Sequence, residues 1–295
     1  LEIPDYCYNN MEFYGQISFM KSGLMYADAV STVSKTYAEE IKTFQYGYGL
    51  DGIMRLRQDR LFGILNGIDY EKNNPKTDKR IAVNYDISSI EKKKFNKTEL
   101  QKQLGLEIRD VPMVGIISRL AEQKGLDLVA WVAEEMLNRD VQFVLLGTGE
   151  KRLEDFFCSL ENNHKGKVCS IIKFDDTLAQ RIYASSDIFL MPSLFEPCGL
   201  GQMFALRYGT IPVVRKTGGL SDTVMHYNSE TKEGNGFVFE HYTADGLMWA
   251  LDEALKVYHS DEWLNVVKNA MNCNFSWESS ADKYIELYEK IIKEY

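Results

Sequence analysis

The chain has 295 residues, 45% hydrophobic and 12% aromatic, enough to bury one large core or two smaller ones, which excludes a disordered chain. Its 34 Lys and Arg against 43 Asp and Glu give a formal charge of −9, which disfavours nonspecific attraction to nucleic acid or an anionic membrane, so any phosphate has to be gripped locally. No run approaches the roughly 20 consecutive apolar residues that a bilayer crossing needs. The five scattered cysteines, Cys7, Cys158, Cys169, Cys198 and Cys273, lack Cys-x-x-Cys spacing and point to a reducing, cytoplasmic setting without structural zinc.

Leu1 is not a methionine, and residues 1–10 carry neither the basic nor the apolar region of a signal peptide, so the chain is expected to begin inside a longer protein. An amphipathic run over 16–25, a short strand over 29–33 and a helix over 35–42 precede a glycine-punctuated loop, and together they read as the end of another domain. Residues 72–79, polar and proline-containing, and 91–97, lysine-rich, read as solvated loops or helix ends.

From about Pro112 onward, short β-rich runs alternate with helical segments. Strands are predicted over 111–118, 141–146, 168–173, 187–192, 211–214 and 236–239, and helices over 126–138, 151–162, 178–185 and 200–208. That alternation implies an α/β fold with a Rossmann-like, doubly wound parallel sheet. Leu247, Ala250, Leu251, Ala254, Leu255 and Tyr258 recur on one helical face and read as a plain core helix.

Three strand-to-helix turns fall at the carboxyl edge of this sheet, where open α/β folds bind ligands. In the first, residues 118–125 (SRLAEQKG), Arg119 and Lys124 can converge on a diphosphate, the guanidinium as a fork of donors and the ammonium as a mobile charge. In the second, residues 193–201 (SLFEPCGLG), the amides of Gly199, Leu200 and Gly201 would meet phosphate oxygens where a helix begins. Glu196 beside them could accept hydrogen bonds from sugar hydroxyls and stabilise an oxocarbenium-like centre, or else merely cap a helix. The third, residues 215–222 (RKTGGLSD), repeats the design with Thr217, Gly218 and Gly219 and places Asp222 in the first helical turn. Gly147-Thr148-Gly149 resembles the start of a dinucleotide fingerprint, but Arg152 stands in place of its third glycine. The four histidines, His164, His226, His241 and His259, lie far apart without metal-ligand spacing and receive no role.

Taken together, residues 118–125 (SRLAEQKG), 195–199 (FEPCG) and 217–224 (TGGLSDTV) resemble the signatures of the bacterial glycogen synthase and starch synthase family. The similarity runs on through 11–20 (MEFYGQISFM), 65–69 (LNGID) and 275–277 (FSW). The resemblance implies the two-domain GT-B fold, with 1–62 the tail of an N-terminal domain, 63–275 the nucleotide-sugar-binding domain and 276–295 a helix returning toward the first. It implies that Arg119 and Lys124 hold the ADP phosphates, with the turn from Cys198 to Gly201 and the turn from Thr217 to Gly219 among the donor-binding residues. Glu196 would contact the transferred glucose, Asn66 would lie near sugar or acceptor, and Phe174 would stack on adenine. Gly201 departs from the small hydroxyl residue often found there, and Phe204 stands where many related transferases carry a second glutamate.

The implied reaction is transfer of glucose from ADP-glucose to the nonreducing end of an α-1,4-glucan with retention, using no cofactor and no metal because cations and helix dipoles neutralise the leaving group. The family's N-terminal lysine-glycine-glycine loop and its sugar-binding histidine and aspartate have no counterpart here, so the partners would be ADP-glucose, glucan and a missing N-terminal domain. Alternatives are a non-catalytic nucleotide-binding fragment, a GT-B transferase using another sugar nucleotide, a nicotinamide oxidoreductase and a glucan phosphorylase.

Overall fold

A computed structural model describes residues 5–294, with side chains from Tyr8 onward; the residues before Asp5 and the Cys7 thiol lie outside the described residues. Six parallel strands form the central sheet: β1 (Met113–Ile117), β2 (Gln142–Leu146), β3 (Val168–Ile171), β4 (Ile188–Met191), β5 (Ile211–Arg215) and β6 (Phe237–Phe239). Their order across the sheet is β3-β2-β1-β4-β5-β6. The chain therefore winds outward one way from β1 and the other way from β4, and the crevice where the winding reverses opens at their carboxyl ends.

The strands are near-continuous apolar runs because helices cover both faces; Met113, Val114, Phe143, Val144, Leu145, Ile188 and Phe189 are all fully buried. The helix Leu126–Asn138 buries Leu126, Val129, Val132, Ala133, Met136 and Leu137, one stripe at helical spacing. Ala244–Tyr258 buries Leu247, Ala250, Leu251, Ala254 and Leu255 in the same way. Each large aliphatic side chain so buried stabilises the fold by about 1.5–3 kcal/mol. Among the described residues no helix is long and apolar enough to cross a membrane.

The lysine-rich stretch overturns its solvated assignment. It opens a helix, Lys93–Leu104, that buries Lys93, Asn96, Lys97, Leu100 and Gln101 and packs against the helix Asp176–Ser185. The physical reason is that the two lysine heads find acceptors inside the protein. Lys93 Nζ donates to the Thr210 hydroxyl at 2.7 Å and to the carbonyls of Tyr183 and Tyr208 at 3.0 and 3.2 Å. Lys97 Nζ pairs with Asp187 at 2.6 Å, and the same carboxylate oxygen accepts the Met113 N–H at 2.8 Å, tying the starts of β1 and β4 together. Residues 72–79 are likewise not all solvated: Asn73 and Asp78 are buried, with Asp78 bonded to Arg80 at 2.8 Å and to the Tyr208 hydroxyl.

The opening segment forms the helices Phe19–Tyr26, Lys35–Glu40 and Asp51–Leu56 and a separate two-stranded parallel sheet, Val30–Thr32 with Leu61–Gly63. The expected boundary at Phe62 falls inside the second of these strands. The last helix, Trp277–Lys293, returns to this segment: Lys290 lies 4.9 Å over the Phe62 ring and Arg60 pairs with Glu294.

Burial pushes the Lys93 ammonium down to about 7 from its ordinary value near 10.5, against the pull of Asp187. The unfolded chain keeps that proton up to about 10.5, so the contribution of Lys93 to stability grows as pH rises from about 7 toward 10.5 and is lost as pH falls. Lys93→Met removes a donor shared by three buried oxygens, although the Tyr208 and Tyr183 carbonyls keep the Tyr85 and Thr210 hydroxyls, and is expected to lower the free energy of unfolding by about 2 kcal/mol at pH 8. Urea titrations should show a smaller deficit at pH 7 than at pH 9, and Lys94→Met, on the exposed face, should stay within about 0.5 kcal/mol of the parent.

Candidate functional site

The reversal point brings the loop after β1 against the loop after β4. Gly125 takes a left-handed conformation, φ 73°, as it starts the helix Leu126–Asn138, and a side chain there would collide with the Pro192 carbonyl. Leu194 N–H donates to the Gln123 carbonyl at 2.9 Å, and Gln123 Nε2 to the Phe195 carbonyl at 3.3 Å, so the two loops are stitched side by side. On the other flank Leu120 exchanges backbone bonds with residues 148–150, at 2.9 and 2.7 Å. Gly147 and Gly149 are needed for that approach, since a Cβ would strike the carbonyls of Ser118 and Leu120. This accounts for the partial fingerprint without a dinucleotide, and Arg152 merely pairs with Glu150.

The stitching puts Lys124 Nζ 2.6 Å from Glu196 Oε2, to which the buried Ser193 hydroxyl also donates at 3.2 Å. Glu196 is buried and paired, not a helix cap. Arg119 stays exposed, with a long side-chain bond of 3.4 Å to Gln123. A cleft of about 250 Å³ is lined by Ser118, Arg119, Lys124, Ser193, Glu196 and residues 199–201, among others. A neighbouring one of about 260 Å³ is lined by Gly147, Thr148, Lys173, Phe174, Asp175 and others. Ile117, Ser118 and Arg119 belong to both, so the two form one groove with Arg119 at the junction. Phe174 is 91% exposed on the rim of the second cleft, which rules out a core role.

Gly199, Leu200 and Gly201 line the first cleft as expected, though the helix they lead into, Gly201–Arg207, is a short one of 7 residues. Three other expected groups line neither cleft. Cys198 turns inward, packed with Ile68 and Met203, where burial pushes its thiol up while the Asn66 backbone N–H pulls it back. Asn66 is thus brought against the back of the Glu196 loop and lines neither cleft. Thr217, Gly218 and Gly219 do not offer their donors to the groove. The Thr217 hydroxyl and Gly218 N–H both donate to Glu40 at 2.9 Å, and Gly219 N–H donates to the carbonyls of Glu196 and Pro197 at 3.0 and 3.2 Å. Asp222, placed late in the helix Gly218–Thr223, accepts the N–H groups of Lys35 and Thr36 at 2.7 and 3.1 Å. The third turn is a joint to the opening segment.

Gly201 has no room for a hydroxyl side chain without pressure, because its Cβ would lie 3.1 Å from the Phe189 ring. Phe204 packs on the Tyr183 ring, centroids 5.7 Å apart. Sequence reasoning missed Ser193 and Gln123, whose roles depend on which loops become neighbours. Among the described residues no group of three or more His, Cys, Asp and Glu is placed to hold a metal ion.

Residues 97–289 match the family model described as glycosyl transferases group 1, and residues 1–56 the one described as starch synthase catalytic domain. A glycogen synthase of Pseudothermotoga lettingae is 53% identical over 296 residues, covering 99% of this chain and 61% of that protein. One from Kosmotoga olearia is 58% identical over 279 residues, covering 94% and 59%. The solved catalytic domain of starch synthase IV from Arabidopsis thaliana, bound to ADP and acarbose, superposes with a TM-score of 0.90 at 38% identity, over 96% of this chain and 60% of that one. A sucrose-phosphate synthase of Thermosynechococcus elongatus, 20% identical with a TM-score of 0.63 over 98% of this chain and 65% of its own, shares the fold. The chain spans about three fifths of the length of the curated relatives it matches.

Removing one member of the Lys124–Glu196 pair leaves the other charge buried. Lys124→Met should therefore destabilise the chain by about 3 kcal/mol, and the double change Lys124→Met with Glu196→Gln should recover most of that loss. A double-mutant cycle in urea measures the coupling.

Proposed function

We propose, from the premise that the chain belongs to the group 1 glycosyl transferases, that it is the donor-binding part of a glycogen synthase. The reaction is transfer of glucose from ADP-glucose to the nonreducing end of an α-1,4-glucan with retention. The observation that carries this is the Lys124–Glu196 pair, 2.6 Å apart, on the wall of a groove that continues past Arg119 to an exposed aromatic face. A sugar nucleotide needs these three things in that order: a carboxylate for the sugar, cations for the diphosphate and a flat apolar surface for the base.

Arg119 and Lys124 supply positive charge beside the carboxylate, where the leaving diphosphate gains negative charge as the glycosidic bond breaks. Glu196, held by the Lys124 ammonium and the Ser193 hydroxyl, keeps one oxygen committed and has the other for a sugar hydroxyl or the positive charge of an oxocarbenium-like transition state. The solved starch synthase IV domain bound to ADP and acarbose supports ADP as the nucleotide and a glucan as acceptor. Asn66, behind the Glu196 loop, is proposed to act near the sugar through that loop.

The assignment of residues 1–62 to the tail of a preceding domain, 63–275 to the nucleotide-sugar-binding domain and 276–295 to a returning helix also belongs to this proposal. Two parallel strands alone are a poor unit, because parallel sheets are ordinarily covered on both faces. Tyr14, Phe19, Met20, Phe44 and Tyr48 of the same opening segment are exposed, apolar area that a further sheet and its helices would cover. Catalysis is then a property of the two halves together, with this half retaining the nucleotide.

The isolated chain is expected to bind ADP in calorimetric titration and to incorporate almost no labelled glucose from ADP-glucose into glycogen. Arg119→Ala and Lys124→Ala should each weaken ADP binding by about tenfold or more, the worth of a charge-assisted hydrogen bond. Phe174→Ala should weaken it about fivefold with no change in melting temperature, since the ring is exposed. Vigorous glucan synthesis by this chain, or ADP affinity indifferent to all three changes, would overturn the proposal.

A further inference from the structure

Behind the loop that lines the first cleft sits a fully buried carboxamide, Gln202. Its Nε2 has three acceptors in reach: the carbonyls of Cys198 and Gly199 at 3.0 and 2.9 Å and the Thr223 hydroxyl at 3.1 Å. The Thr223 hydroxyl spends its own proton on the Gly219 carbonyl at 2.6 Å, so it turns a lone pair toward Gln202. Three acceptors around one atom fix which end of the amide is nitrogen. Among the described residues Oε1 is buried and without a hydrogen-bond partner, so the amide is held by its nitrogen end.

In a trans peptide the C=O and the following N–H point in opposite directions. Holding the Cys198 carbonyl inward therefore turns the Gly199 N–H outward, and holding the Gly199 carbonyl inward does the same for the Leu200 N–H. The backbone has the matching shape: Gly199 is left-handed, φ 69°, and Leu200 right-handed, φ −113° and ψ −27°. That alternation makes successive amides converge on a concavity suited to an anion. Both residues line the cleft that holds Arg119 and Lys124.

We propose that Gln202 is a positioning residue that locks two peptide planes, so that the amides of Gly199 and Leu200 face a nucleoside diphosphate in the cleft. The inference rests on the donor-binding role given above. It also gives the third turn a purpose: Thr223 and Gly219, unable to reach the groove, brace the amide that shapes it.

Gln202→Met keeps the volume and removes the donor. In calorimetry on the 295-residue chain, this change should raise the Kd for ADP about tenfold, the loss of roughly one charge-assisted bond, and leave that for adenosine unchanged. In ¹⁵N spectra the Gly199 and Leu200 amide protons of the parent should move downfield when ADP is added, and those of the variant should not. Equal loss for ADP and adenosine, or an unaltered ADP Kd with the same amide shifts, overturns the proposal. Should Gln202→Met fail to fold, Thr223→Val removes a single brace and should give a smaller loss, about threefold, with the same selectivity for ADP over adenosine; no selectivity there overturns it as well. A parent chain that binds no ADP brings down the donor site and this role together, whereas a parent that binds ADP beside indifferent variants brings down this role alone.

Discussion

Everything at the carboxyl edge of the sheet depends on how closely the loop after β1 and the loop after β4 approach. Gly125 permits it, having no side chain to meet the Pro192 carbonyl, and the backbone bond between Leu194 and Gln123 fixes it. Only at that separation can Lys124 reach Glu196 across 72 residues of sequence. A carboxylate as buried as Glu196 is costly to keep ionised without a partner, so the pair and the loop contact stabilise one another. Arg119, on the same loop but exposed, stands at the junction of the two clefts.

The sheet was legible in the sequence because its strands are short, mostly apolar runs separated by helical segments, and the helix Leu126–Asn138 agrees with its expected span to the residue. That Arg119, Lys124 and Glu196 would share one edge was legible because each follows a strand of the same parallel sheet. The lysine-rich stretch was not. Its pattern is that of a solvated face, and nothing local announces that Tyr183, Tyr208 and Thr210 will surround Lys93 with oxygens from positions about a hundred residues away.

The partner of the third turn was not legible, for a different reason. A strand, two glycines and a helix start make an anion site wherever the donors stay open, and sequence cannot say whether another part of the chain supplies the anion. Here Glu40 does. Cys198 shows the same limit at the scale of one side chain, since the motif containing it lines the groove while the thiol faces Ile68 and Met203.

Glu40 takes the first donors of one helix while Asp222 takes those of the other, and this crossed exchange behaves as a keyed joint. Greasy surfaces slide past one another with little change in energy, but five directional donors, the amides of Lys35, Thr36 and Gly218 and the hydroxyls of Thr36 and Thr217, fit only one alignment. A shift of a single helical turn would strand them all at once. The opening segment and the sheet are thereby indexed to each other in discrete steps, and the Glu196 loop, bonded through Gly219 to the same joint, inherits that registration.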